Sequence, residues 1–404
     1  MGPLAGTRVL EVASMISGPY AASFLGSLGA DVVKVEDLQG DPLRVLGPRW
    51  RGQSALFMSV NRNKRSIALN LADPGAREII ARLVERSDVL ITNVQEPALS
   101  ALGISYDQAS KVRPDIVWVG ITAWGKEGPY AGRPGIDPLA QSLSGLASLN
   151  GGDAGRPSRV PAPIIDMTTA LLAVIGALVG LQQRNATGSG QRVDTSLLEA
   201  ALCLNTTSLG SYLLTGWVHP RTANRSPYFA PSGIFRCADG SHVFLSAPND
   251  GFFRRLCEAL GIPLYQDERF KDMESRLAHV DELEREIQDI CNGLALFELL
   301  ERCARYRALA APVLDIPQVV QHPQVLANDS IVEVVDDSGV TFRGIDVPLR
   351  RGWADPAPPA IGPEIGQHSV ELLLEHGYSS QEVARFLADG LVRAPDAAAQ
   401  SRPL

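Results

Sequence analysis

Short β-branched runs alternate with proline- or aspartate-opened helical stretches through the first third of the chain, and this alternation restricts the fold more than any other feature. Arg8-Val9-Leu10-Glu11-Val12 reads as a strand. Gly18-Pro19 then introduces a helix over about Tyr20 to Leu28, closed by Gly29, and Asp31-Val32-Val33-Lys34-Val35-Glu36 is the next strand. Ile67 to Leu71, a helix capped by Asp73 with Pro74 at its first position and running to about Arg86, and Val89-Leu90-Ile91-Thr92 make a second unit. Ile116 to Ile121 is a further strand. A strand, a crossover helix and a parallel strand return to one sheet with a fixed hand. Repeated units therefore predict an α/β fold, a doubly wound, Rossmann-like parallel sheet with helices on both faces.

Beyond this region the pattern changes. Asp166 to about Gln182 and Ser196 to about Thr215 read as mostly apolar helices separated by a Gly188-Ser189-Gly190 turn. Met167 to Leu181 is uncharged but shorter than the roughly 20 residues that cross a bilayer, so a buried helix is expected and no membrane partner. Composition shifts near Asn224, where Pro227, Pro231 and a hairpin signal from Gly233 to Ser241 lead into charged helices up to Pro312. These features predict a large domain from residues 1–223 and 328–404 and a smaller α+β domain from 224–327. The last part carries a strand at Ile331 to Val335, a proline-rich crossing from Pro356 to Pro363, and an amphipathic helix from about Ser380. A loose tail is expected after Val392.

Composition removes several function classes. With 37 Lys+Arg against 45 Asp+Glu the net charge is −8, which argues against a nucleic-acid partner and leaves small anions open. Five cysteines show no C-x-x-C and no finger spacing, so reduced thiols, a cytoplasmic setting and no metal are expected. The N-terminus shows no signal-peptide pattern. The first strand–helix turn, Val12-Ala13-Ser14-Met15-Ile16-Ser17-Gly18-Pro19, has no G-x-G-x-x-G, which sets aside a nicotinamide oxidoreductase. There is no phosphate-binding G-x-x-x-x-G-K, no G-x-S-x-G elbow and no H-E-x-x-H, and the six histidines are scattered. Any chemistry then falls to a carboxylate.

Motifs in sequence order now carry a resemblance. They are Leu4-x-Gly6-x-Arg8-Val9-Leu10-Glu11, Ser17-Gly18-Pro19, Leu28-Gly29-Ala30-Asp31 through Glu36, and Gly40-Asp41-Pro42-x-Arg44. Asn61-Arg62-Asn63-Lys64-Arg65-Ser66, Gly128-Pro129-Tyr130, Gly135-Ile136-Asp137, Thr187-Gly188-x-Gly190-Gln191, Asp267-Glu268-Arg269-Phe270 and Pro363-Glu364-Ile365-Gly366-Gln367-His368 follow. Over nearly its whole length the chain resembles the class III coenzyme A transferases, the formyl-CoA and carnitine type.

The resemblance implies an aspartate nucleophile that opens a helix after a proline-containing strand end, here Asp166 in Pro161-Ala162-Pro163-Ile164-Ile165-Asp166. At the positive end of a helix the same residue reads as an ionised N-terminal carboxylate. Coenzyme A enters as a thioester cosubstrate, with an acyl-CoA donor, a carboxylate acceptor and no permanently bound cofactor. By the same resemblance its contacts come from Ile16 and Ser17, from Leu69, Asn70, Leu71 and Ala72, from Asn93, Val94 and Gln95, and from Arg133, Gly135, Ile136 and Asp137. Many relatives have N-F-R-P-G where this chain has Asn93-Val94-Gln95-Glu96-Pro97, and an arginine where it has Ala101, so Lys64, Arg65 or Lys126 would have to replace the lost cations. The nearest match to the family's glycine-rich covering loop is Ala247-Pro248-Asn249-Asp250-Gly251. An interlocked homodimer is also implied, with Pro312–Pro323 and Pro356–Pro363 as its arms.

Two other readings compete. An acyl-CoA racemase or epimerase of the same superfamily needs a histidine before the G-x-D aspartate, and here Ile136 stands there, leaving Asp137 as a helix cap or hydrogen-bond partner near the site. The chain can also be one subunit of a heteromeric transferase. For the acid, Arg44, Arg49, Arg51 and Arg225 are candidates to bind a second carboxylate, and Trp50, Phe57, Trp124 and Tyr228 could line an aromatic pocket.

Overall fold

A computed structural model describes residues 2–151, 156–335, 339–345, 347–349 and 360–395. The chain forms two compact units, one of residues 1–144, 161–204 and 329–404, the other of 145–160 and 205–328. The first boundary thus falls at Asn205 instead of Asn224, and a short segment before Pro161 joins the second unit. Helix 196–215 of the sequence reading is broken at that boundary into Leu197–Leu204 and Thr206–Thr215, with Asn205 outside helical geometry.

Seven strands make the sheet of the first unit. They are β1 (Arg8–Val12), β2 (Asp31–Asp37), β3 (Arg65–Leu69), β4 (Val89–Thr92), β5 (Val117–Thr122), β6 (Gln191–Ser196) and β7 (Val392–Arg393). Their order is β7-β3-β2-β1-β4-β5-β6, parallel throughout except for β7, which runs antiparallel along β3 and pairs Val392 with Leu69. The order reverses direction between β1 and β4. In open α/β sheets that reversal leaves a crevice at the carboxyl ends of the two strands.

Helices α1 (Ser17–Ser27), α2 (Pro74–Glu85), α3 (Asp137–Leu143) and α4 (Ile164–Thr187) position the site. On one face Ala21, Ala22 and Leu25 of α1 meet Ala170, Ala173 and Ala177 of α4 over Val9, Val32, Val117 and Val119. Small residues at this seam let the two helices approach closely. On the other face Ile79, Ile80 and Leu83 of α2, with Leu372, Leu373 and Val383, cover Leu10, Val33, Ile67 and Leu90. Each fully buried Leu or Ile contributes about 1.5–3 kcal/mol, and alternate residues of β1 serve opposite faces.

Several local differences from the sequence reading have physical causes. β3 runs from Arg65 to Leu69 instead of Ile67 to Leu71; it stops before Asn70, whose amide leaves the ladder to donate to the Leu391 carbonyl. β6 falls between the Gly188–Gly190 turn and the helix read from Ser196, a stretch in which the sequence reading has no strand. It is an edge strand with Gln191, Arg192 and Asp194 on it, so it lacks the apolar run that marks a buried strand. Arg393, the first residue of the expected loose tail, lies with Val392 in β7; the residues from Asp396 onward, and Pro356–Pro359 of the proline-rich crossing, lie outside the described residues. α4 spans 24 residues, long and apolar enough by length and composition to cross a membrane. It is only half-buried: Ala170, Ala173 and Ala177 face the sheet, while Leu171, Ile175 and Val179 form an exposed apolar stripe.

The second unit holds a three-stranded antiparallel sheet, Ser232–Arg236, His242–Ser246 and Leu309–Pro312. Phe253, Leu256, Leu283, Ile287 and Leu299 fill its core with Cys237, Cys257, Cys291 and Cys303. None of the five cysteines forms a disulfide, and burial pushes the Cys257 and Cys303 thiols up to about 11 and Cys291 to about 12, so these are packing residues.

Candidate active site

The β1–α1 connection ends at the sheet's reversal point, and its backbone is tied down almost residue by residue. Asn93, just past β4, accepts from the Ser14 amide at 3.1 Å and donates to the Ser14 carbonyl at 2.8 Å. This side chain bridges the crevice between the ends of β1 and β4. Met15 follows with φ at 67°, in the left-handed region that a side chain disfavours. Gly18 is required by closeness, since a Cβ there would come within 2.5 Å of the Ala13 Cβ. Ser17 therefore sits, buried, in the first turn of α1.

Ser17 Oγ donates to Asp166 Oδ1 at 2.6 Å. Asp166 is in the first turn of α4. That turn is fastened by a second aspartate: Asp137 Oδ2 accepts from the amides of Ile165 at 2.7 Å and Asp166 at 3.1 Å, and its other oxygen accepts from Gln141 at 2.5 Å. Asp137 is buried, and it serves α4 as a cap although it lies at the start of α3. Burial pushes the Asp166 carboxyl above its ordinary range, the Asp137 charge adds to this, and the Ser17 hydrogen bond opposes both. The helix end alone suggested an untroubled anion; burial outweighs it.

Below the β1–α1 connection lies a cluster of buried charges that the sequence reading missed. Lys34 Nζ is 2.7 Å from Glu11 Oε1, and Lys64 Nζ is 2.7 Å from Glu11 Oε2. The available signal was an acid and a lysine inside apolar strands, Glu11 in β1 and Lys34 in β2. Lys64 is consequently no phosphate ligand. Nor is Arg65, which pairs with Asp31, Glu371 and Glu375.

A cavity of about 360 Å³ opens past the ends of β4 and β5. It gathers Val94, Gln95 and Arg133 of the expected coenzyme contacts and adds Trp124, Lys126 and Arg192. Lys126 pairs with Asp194 at 3.5 Å, and the Arg133 guanidinium stacks 4.3 Å over the Tyr130 ring. Gly135 brings its loop against Trp124, because a Cβ would lie 2.5 Å from the Ala123 Cβ. Glu96 and Asp107 also line the cavity, so its cations face acids as well as solvent. Asn70, Leu71 and Ala72 form the turn after β3, where the Asn70 side chain accepts from Ala72, while Leu69 is buried in the strand. Ile16 is the residue before α1, and Ile136, 60% exposed before α3, offers hydrocarbon where a racemase needs a proton carrier.

The candidate acid-binding groups fall in both units. Arg44 is engaged by Glu36 at 2.6 Å and lies over the Phe57 ring. Arg49 donates to the Gly52 carbonyl, Arg51 lies over Trp50, and Trp50 packs against Phe342. In the second unit Arg225 is held by Glu284 and Asp281, and Tyr228 clusters with Trp217 and His219. Ala247–Gly251 is a capping turn there, with the Asn249 side chain accepting from the Phe252 amide. Among the described residues no group of three or more His, Cys, Asp or Glu could hold a metal.

A sequence profile of CoA-transferase family III matches residues 4–369. The chain is 35% identical over 379 residues to the succinyl-CoA–L-malate CoA-transferase beta subunit of Chloroflexus aurantiacus, covering 92% of this chain and 94% of that one. It is 31% identical over 382 residues to the succinate–glutarate CoA-transferase of Agrobacterium fabrum, covering 92% and 95%. The crystal structure of a CAIB/BAIF family protein from Brucella suis superposes with a TM-score of 0.84 at 31% identity, covering 93% of this chain and 99% of that one.

Proposed function

The chain belongs to CoA-transferase family III, and from that premise we propose that it carries coenzyme A from succinyl-CoA to a small dicarboxylic acid, with Asp166 as the covalent nucleophile. The observation that carries the reading is the Asp166 carboxylate, held on one oxygen by Ser17 and seated in a helix turn fastened by Asp137. The donor and the acid class are supported by the two named relatives, which act on succinyl-CoA with L-malate and on succinate with glutarate.

The steps conserve every bond. Asp166 attacks the thioester carbonyl, the C–S bond breaks, and a mixed anhydride and CoA thiolate form. The thiolate attacks the Asp166 carboxyl carbon, releasing the donor acid as a carboxylate and leaving an aspartyl-CoA thioester. The acceptor carboxylate attacks that thioester and expels the thiolate, which then attacks the acceptor's side of the new anhydride and frees Asp166. Thioester is exchanged for thioester, so no ATP is required and the protein's task is to stabilise each oxyanion. The cavity lined by Lys126, Arg133 and Trp124 suits the nucleotide end of the coenzyme.

A second chain is part of the proposal. Leu171, Ile175 and Val179 of α4 and Leu139 and Leu143 of α3 leave apolar surface exposed on the first unit, as expected of a homodimer. Because one relative is named a beta subunit, a heteromeric partner is the second reading.

The test is to incubate the purified chain with succinyl-CoA and a panel including malate, glutarate, citramalate and oxalate, and to follow new thioesters by mass spectrometry. Borohydride reduction during turnover should mark the peptide that contains Asp166. New acyl-CoA that vanishes in Asp166→Ala supports the proposal. Exchange at full rate without Asp166 overturns it, and exchange only after adding a second chain favours the heteromer.

A further inference from the structure

Two lysines lie buried at the edge of the crevice, and both end on the same short segment of backbone. Lys34 Nζ lies 2.7 Å from Glu11 Oε1 and 2.9 Å from Asp41 Oδ2, and donates to the Ala13 carbonyl at 2.8 Å. Lys64 Nζ lies 2.7 Å from Glu11 Oε2 and donates to Asn61 Oδ1 at 2.7 Å, to the Val60 carbonyl at 3.2 Å and to the Pro19 carbonyl at 2.7 Å. Glu11 is shared, one oxygen to each lysine. Asp41 turns its other oxygen to the amides of Leu43 at 2.9 Å and Met15 at 3.2 Å.

Buried ion pairs are costly to desolvate, and apolar groups of equal volume often serve stability as well or better. Stability alone therefore does not account for this cluster. What its members hold in common is the Ala13–Pro19 segment: Lys34 takes the Ala13 carbonyl, Asp41 the Met15 amide, and Lys64 the Pro19 carbonyl. Met15 is kept in its left-handed conformation inside this span, which a loosely held loop would relax. Ser17, the donor to Asp166, stands between the two lysine-held carbonyls.

We infer that Lys34 and Lys64, joined through Glu11, are positioning residues that clamp both ends of the Ala13–Pro19 segment so that Ser17 holds the Asp166 carboxylate in its attacking orientation. The inference rests on the reading of Asp166 as nucleophile. The Ser17 hydrogen bond lowers the Asp166 pKa against burial and the Asp137 charge, so a loosened clamp lets that pKa climb. At Lys64 burial outweighs the attraction of Glu11 and Asp41, the Lys34 charge adds to it, and the pKa comes down to about 8. Lys34 stays charged because the surrounding carboxylates of Glu11, Asp41 and Glu36 hold its pKa up against burial.

The experiment titrates Asp166 directly, by carbon-13 NMR of chain labelled at aspartate Cγ, the resonance being assigned by its loss in Asp166→Asn. Wild type, Ser17→Ala, Lys64→Met and the double variant are compared. Lys64→Met should move the Asp166 midpoint upward as Ser17→Ala does, and the double variant should move it no further. Turnover should fall on the order of 10²-fold in Lys64→Met with KM unchanged. Should Lys64→Met fail to fold, the isosteric Glu11→Gln reads the same coupling. An Asp166 titration in Lys64→Met or Glu11→Gln identical to wild type, or effects that add in the double variant, would each overturn the inference. If the wild type transfers no CoA to any acid, the proposed function fails, while the NMR comparison still decides the clamp.

Discussion

Ser17 Oγ and Asp166 Oδ1 lie 2.6 Å apart although 149 residues separate them in the chain. The contact joins the first helix of the first βαβ unit to the helix that precedes the edge strand β6. It forms because α1 and α4 pack side by side on one face of the sheet with alanines at their seam. Five predictions follow from this arrangement and its surroundings.

Replacing Asp166 by Asn should lower transferase turnover on the order of 10³-fold or more, because in the proposed mechanism this carboxylate carries the acyl and CoA intermediates. The same variant should be more heat-stable at pH 7. Asp166 has a pKa raised above its unfolded value, chiefly by burial. The stability such a group contributes is fully present below the unfolded pKa and is lost as pH rises through the folded one. Thermal denaturation at pH 7 and at pH 3 checks this: the gain in Tm should appear at the higher pH only.

Ser17→Ala should shift the acid limb of kcat to higher pH. The carboxylate loses the hydrogen bond that holds its pKa down, while burial and Asp137 continue to push it up. A pH–rate profile with an unmoved acid limb would count against a role for Ser17 at the nucleophile.

Asp137→Ala removes the acceptor for two amides of the α4 first turn and leaves them buried without it. A loss of about 1–3 kcal/mol in denaturant unfolding is expected, with a larger proportional loss of activity because Asp166 sits in that turn.

Lys126→Ala and Arg133→Ala should each raise KM for succinyl-CoA by roughly ten-fold with little change in kcat, and the effect should shrink at high salt. Both side chains line the cavity past β4 and β5, away from the Ser17–Asp166 contact. Initial-rate kinetics at two ionic strengths separate this from a catalytic role.

Light scattering should give a mass of twice 43.3 kDa for the chain in solution. Ile175→Asp, on the exposed stripe of α4, should lower that mass without unfolding the protein. A monomeric wild type would remove the dimer from the proposal.

Much of this protein was legible one residue at a time. The parallel strands announced themselves through short β-branched apolar runs, Val32, Val33 and Val35 in β2 and Val89-Leu90-Ile91-Thr92 in β4. Asp73 and Pro74 marked the start of α2 by local chemistry alone. The family resemblance pointed to Asp166, and the structure sets that residue in the first turn of α4 beside Ser17. β6 could not be read, because an edge strand alternates polar residues with partly buried ones and so lacks a run.

Sequence by itself determined the elements whose signals are local: periodicity, caps, turns and motif order are set by neighbours a few residues away. Only the tertiary structure decided what the charged residues do. Lys64 and Arg65 are adjacent and chemically alike in the sequence, yet one is buried between Glu11 and the Pro19 carbonyl and the other lies across Asp31, Glu371 and Glu375. Asp137 fastens a helix that begins 27 residues later, and Asn93 spans the crevice to Ser14. Such partners are chosen by how the strands are ordered in the sheet. A charge finds its counter-charge through burial and distance in space, and neither is written in the spacing of residues along the chain.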